Sequence, residues 1–176
     1  MTSSAEGYTE AFAWIWLPGE TKPVVAGKLS RDGSTFVFTY GQSYLERGNA
    51  IPIYDVELPL KSGTLPLLSG LSMPGCIRDA APDAWGRRVI INKKLGSEVV
   101  NPRNSMLDEL TYLLESGSDR IGALDFQLSP KKYTARCSLN ASLEELLESA
   151  KRIENGVPLT EELDQALCHG SSIGGA

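Results

Sequence analysis

Apolar residues occupy both faces of residues 11–17. Phe12, Trp14 and Trp16 share one side under a two-residue period, and Ala13, Ile15 and Leu17 share the other. A strand apolar on both sides is expected to be covered on both sides. Pro18, Gly19 and Glu20 then predict a turn, because proline presets φ and glycine accepts positive φ. Residues 24–29 read as the antiparallel partner. Asp32-Gly33 predicts a tight hairpin into residues 35–40, where Phe36, Phe38 and Tyr40 alternate onto one face. Residues 56–60 predict one more strand.

After Met73 the apolar period becomes helical. Pro82 predicts a first helical turn, with Asp83 where negative charge suits the helix dipole. That helix runs through Trp85, Val89 and Ile90 to Leu95, and Gly96 ends it. Ser105 with Asp108 three residues on predicts a second capped helix that buries Leu107, Leu110, Leu113 and Leu114. Residues 121–128 return to β. Ser142 with Glu145 opens a third helix, whose apolar face is Leu143, Leu146, Leu147, Ala150 and Ile153 and whose stop is Gly156. Thr160 caps a short last helix through Leu167. The pattern predicts an α+β chain in which a small antiparallel β subdomain precedes a helical part. Its divisions are a β-rich 1–70, a mainly helical 71–168 with a β segment near 121–128, and a glycine-rich 169–176.

Charge narrows the functions open to such a chain. Lys and Arg number 17 against 22 Asp and Glu, a net charge of −5, which argues against direct nucleic-acid binding by electrostatics. Cys76, Cys137 and Cys168 are an odd number with no CxxC pair, and His169 is the single histidine, so neither a disulfide framework nor a zinc site is expected. A reducing cytoplasm is the expected compartment. The apolar run at 11–17 is far below the ~20 residues that span a bilayer, so no membrane role is expected.

Chemistry is most visible in the last seven residues, Gly170, Ser171, Ser172, Ile173, Gly174, Gly175 and Ala176. Glycines let backbone N–H groups gather round a phosphate, and serines add hydroxyls. The pattern is neither GxxxxGK[ST] nor GxGxxG, and taken alone it better suits a plain terminus of small residues. Asp79 and Asp83 stand four apart as a conceivable acid pair, but Pro82 interrupts the helical path between them and Asp83 is placed to pair with Arg87. Trp85 reads as a core residue flanked by solvated Arg87 and Arg88. Cys168 and His169 form no recognisable nucleophile and base.

Five segments, in order, resemble the HipA-like serine/threonine kinase toxins of bacterial toxin–antitoxin pairs. Gly27-Lys28-Leu29 with residues 36–40 is similar to that family's opening hairpins, and Val56-Glu57-Leu58-Pro59-Leu60 to its "SLPL" segment. Residues 77–88, IRDAAPDAWGRR, resemble its "LPDGWGR" helix, and residues 119–126, DRIGALDF, its "DRxGALxF" segment. Ser172-Ile173-Gly174-Gly175-Ala176 looks like the start of its "S-[IVL]-x-G-A-x-x-K" loop.

The resemblance implies that residues 173–176 open a loop over the ATP phosphates, with Ser172 as the autophosphorylated serine and Ser171 as second choice. It implies ATP and Mg²⁺ as cofactors of the intact protein, and phosphate transfer to a serine or threonine of a target such as an aminoacyl-tRNA synthetase. It also implies a HipB-like helix-turn-helix antitoxin as partner, with DNA reached only indirectly. The family's anchoring lysine, catalytic aspartate and metal-binding aspartate belong to a C-terminal lobe. The chain is therefore expected to be a fragment that holds no catalytic residue, binds neither ATP nor metal tightly and is inactive alone. Two rival expectations stand beside this one: a standalone regulatory module docking on a separate kinase or antitoxin, and a small hydrolase using Asp79, Asp83 or His169.

Overall fold

The computed structural model describes residues 7–95, residues 107–136 except 119 and 121, and residues 143–160 except 156, 158 and 159. The fold is α+β. The chain forms two compact units, Met1–Ala80 with Gly122–Tyr133, and Ala81–Ile121 with Thr134–Ala176.

The first unit is an antiparallel sheet. Strands β1 (Glu10–Ile15), β2 (Val24–Asp32) and β3 (Thr35–Tyr40) form the predicted meander. Two-residue β4 (Thr64–Leu65) and β5 (Leu124–Gln127) complete the order β4-β3-β2-β1-β5. The first turn has Pro18 ahead of Gly19 at φ 80, and the Glu20 N–H donates to the Leu17 carbonyl at 3.0 Å, a type II turn. At the hairpin Gly33 takes φ 59 between the paired Asp32 and Thr35.

β1 is covered on both sides, as its pattern predicts. Ala11, Ala13 and Ile15 are buried, while Trp14 and Trp16 pack on Tyr133 at ring-centroid distances of 5.4 and 5.2 Å. Phe36, Phe38 and Tyr40 are all buried, in a layer with Leu29 and Phe126. A Cβ on Gly27 would stand 2.3 Å from the Thr39 carbonyl oxygen, so only glycine allows this approach of β2 to β3.

Residues 56–60 do not form the predicted strand. Pro59 brings no N–H to a ladder, and the segment turns back on itself through one isolated bridge, Tyr54 to Leu58. Thr64 and Leu65 instead supply the strand that pairs with β3. Two short helices, α1 (Gln42–Leu45) and α2 (Gly75–Arg78), complete this unit.

In the second unit α3 (Ala84–Leu95) starts later than predicted. Pro82 lies before the cap rather than in the first turn, and the Asp83 carboxylate accepts the Gly86 N–H at 2.8 Å. Helix α4 (Glu109–Glu115) opens at Asp108, not Ser105, because the Asp108 carboxylate itself accepts the Thr111 N–H at 2.8 Å. Ser105 and Gly96 lie outside the described residues. Leu110, Leu113 and Leu114 are buried on α4, while Tyr112 packs with Ile90, Ile91 and Leu107.

Helix α5 (Leu143–Glu154) agrees with its prediction in extent but presents a narrower apolar face. Ile153 is buried against Val89 and Trp85, whereas Leu147 is 53% exposed. Gly156, the predicted helix over 161–167 and the side chains of Leu143, Glu145 and Leu146 lie outside what is described. Among the described residues no helix is long and apolar enough to cross a membrane.

Candidate functional site

Ser171, Ser172, Ile173, Gly174, Gly175 and Ala176 lie outside the described residues, as do Cys137, Cys168, His169 and Asp119. The remaining candidates are described.

Asp79 is exposed at the end of α2, where its N–H donates to the Gly75 carbonyl at 2.9 Å. Asp83 caps α3 in the other unit. The guanidinium of Arg87 engages Glu109 rather than being taken up by the predicted Asp83 pairing. It donates to both Glu109 carboxylate oxygens at 2.8 and 2.7 Å, and its Nε donates to the Pro82 carbonyl at 3.1 Å. Its guanidinium also lies 4.4 Å from the centroid of the Tyr112 ring. Hydrogen bonding to Glu109 is the main reason the Arg87 pKa rises above its ordinary value. Planar, bidentate pairing of this kind fixes α3 to α4. Arg88 is exposed and Trp85 half-buried, close to the sequence reading.

Residues 51–60 are anchored from below. The Tyr40 hydroxyl donates to the Leu58 carbonyl at 2.7 Å and accepts the Ile53 N–H at 2.9 Å. Burial pushes this hydroxyl up to about pKa 12. Glu57 reaches back to α2, where its carboxylate accepts the Cys76 N–H at 2.9 Å and occupies the space a Cβ on Gly75 would need. Cys76 is half-buried; desolvation first, then Glu57, pushes its thiol up to about 12. At neutral pH it is a protonated, poor nucleophile.

Residues 123–127 close the sheet. Arg120 donates to the Leu113 carbonyl within the second unit. Gly122 takes φ 105, the Ala123 carbonyl accepts the Trp16 N–H at 2.9 Å, and β5 pairs with β1 from Leu124 to Gln127. Asp125 is fully buried, and its carboxylate accepts the Phe126 N–H at 2.7 Å and the Gln127 side-chain amide at 3.3 Å.

The described residues of the first four motifs are thus joints of the architecture. Sequence reasoning missed Glu109 and Tyr112 as the partners of Arg87 and Glu57 as the cap of α2. No short-range spacing links Arg87 to Glu109 or Glu57 to Cys76, which lie 22 and 19 residues apart. Among the described residues no group of three or more His, Cys, Asp or Glu is placed to hold a metal ion.

The family model of the HipA N-terminal domain matches residues 15–127, well over half of the chain. A search of curated proteins finds no match.

Proposed function

The chain belongs to the HipA N-terminal domain family, and from that premise we propose that it is the N-terminal part of a HipA-like kinase that phosphorylates serine or threonine of a target protein. The observation that carries this reading is the family match from Ile15 to Gln127, which takes in every described joint from the first hairpin to β5. ATP supplies the phosphoryl group and magnesium the neutralising charge for such a transfer. No described residue is assigned a chemical step; these residues build and brace the lobe.

The site is assigned to residues 172–176, with Ser172 as the self-phosphorylated hydroxyl and Ser171 as second choice. A phosphate on Ser172 adds roughly 1.5–2 negative charges beside a site that binds phosphate. Repulsion then expels the loop, and modification acts as an electrostatic off-switch. The proposed partner is a HipB-like helix-turn-helix antitoxin, through which an acidic chain reaches DNA indirectly. An aminoacyl-tRNA synthetase is the proposed class of substrate.

The test is phosphate transfer by the full-length gene product to such a synthetase, with ATP and magnesium, before and after prolonged preincubation with ATP. Preincubation is expected to silence the native protein but leave Ser172→Ala active. Absence of transfer to any serine or threonine, by either protein, overturns the reading.

A further inference from the structure

The outer face of the first unit's sheet carries a groove of about 320 Å³, lined by Phe12, Val25, Lys28, Thr39, Ser43 and Pro130 among others. Phe12, Lys28 and Thr39 stand side by side across β1, β2 and β3. They point away from the neighbouring row of Ala11, Leu29 and Phe38, which is fully buried. The volume falls within the roughly 300–1,000 Å³ typical of small-molecule sites. This groove takes no part in the proposed phosphoryl transfer.

Two features shape the groove and keep it open. Ala13 pairs with Gly27 but Trp14 with Val25, so β2 bulges at Ala26, and both Val25 and Gly27 line the groove. Gly41, which also lines it, has φ −68 and ψ 140, a conformation open to any residue. A Cβ there would meet nothing closer than the Ala26 carbonyl oxygen at 3.8 Å. Neither the backbone nor the packing demands glycine at this position. What the missing side chain leaves free is space in the groove.

The lining indicates what fits. Phe12, Val25 and Pro130 give apolar walls, while Lys28, Thr39 and Ser43 all offer donors. Lys28 Nζ donates to Glu10 at 2.9 Å, which leaves two of its three N–H donors for a ligand. Past Pro130, Lys131 and Lys132 are exposed and in no ion pair among the described residues. Positive charge along this edge therefore exceeds the single carboxylate of Glu10. We propose that the groove binds a small aromatic carboxylate, with its ring on the apolar wall and its anion on Lys28. The groove is small and its polar partners few, so the affinity is expected at roughly 0.1–1 mM.

Titration of the full ¹⁵N-labelled chain with indole-3-acetate, read by backbone chemical shifts, tests this, with indole-3-acetamide as the uncharged counterpart. Saturable shifts are expected at residues 25–28 and 39–43, and the acetamide should bind at least about fivefold more weakly. Lys28→Met should remove that preference for the acid. Gly41→Leu should fill the groove and abolish binding of both compounds. Unchanged shifts elsewhere in each variant's spectrum check the fold. No saturable shift up to about 10 mM overturns the proposal, as do shifts centred elsewhere. Equal affinity for acid and acetamide overturns it as well, and so does binding indifferent to both substitutions.

Discussion

Replacing Tyr40 with phenylalanine removes one oxygen and nothing else. The ring keeps its edge contact with Phe38, at 5.0 Å between centroids, and its stack on Tyr44. What disappears is the donor to the Leu58 carbonyl and the acceptor for the Ile53 N–H. Leu58 is 1% exposed, so its carbonyl has no water to turn to, a loss of about 1–3 kcal/mol. Ile53 is half-buried and its N–H loses less. Together the substitution should cost about 2–4 kcal/mol. With a urea dependence of roughly 2 kcal/mol per molar, the midpoint falls by about 1–2 M. Fluorescence of Trp14 and Trp16 in a Trp85→Phe background reports the first unit selectively.

The pH dependence has a definite sign. The hydroxyl's pKa rises from 10.0 unfolded to about 12 folded, so its contribution is complete below pH 10 and is lost as pH climbs towards 12. The native protein's advantage over Tyr40→Phe should shrink across that window. Tyr44→Phe is the control, because Ile51 is exposed and its carbonyl can turn to water. Equal midpoints for the two variants would refute the argument that the Tyr40 hydroxyl holds residues 51–60.

Cys76 should be nearly inert: with its thiol at about 12, exchange with an aromatic disulfide reagent at pH 8 should run at least ~100-fold slower folded than in urea, measured with Cys137→Ser and Cys168→Ser in place. Comparable rates would contradict its burial. Arg87→Lys keeps the charge but loses the paired donors to Glu109 and the Tyr112 stacking, so urea unfolding should show a loss of about 1–2 kcal/mol, with little further loss on adding Glu109→Gln. Gly27→Ala forces a Cβ against the Thr39 backbone oxygen and should cost about 2–3 kcal/mol in the same assay.

Short-range patterns were enough to place most of the elements. The two-sided apolar run at β1, the alternating aromatics of β3 and the two glycine turns each encode their geometry within a few residues. Residues 56–60 misled because their apolar content matches a strand, whereas the Leu58 N–H turns back to the Tyr54 carbonyl and the Leu58 carbonyl is taken by the Tyr40 hydroxyl. The start of α4 moved to Asp108 because either of two oxygen-bearing side chains could cap it, and only the extended backbone at Asp108 decides between them. Arg87 with Glu109 and Glu57 with Cys76 are long-range pairs, invisible to periodicity. Of the candidate site, the sequence offers a small-residue pattern at 172–176 that becomes specific only in the company of the four preceding motifs.

Phosphopeptide mapping of the full-length gene product after incubation with ATP and magnesium tests the central claim most directly. The account predicts phosphate on the peptide carrying Ser172, displaced from it by Ser172→Ala. A product that remains free of phosphate throughout residues 170–176, while a known serine/threonine kinase in the same mixture modifies itself, would contradict it.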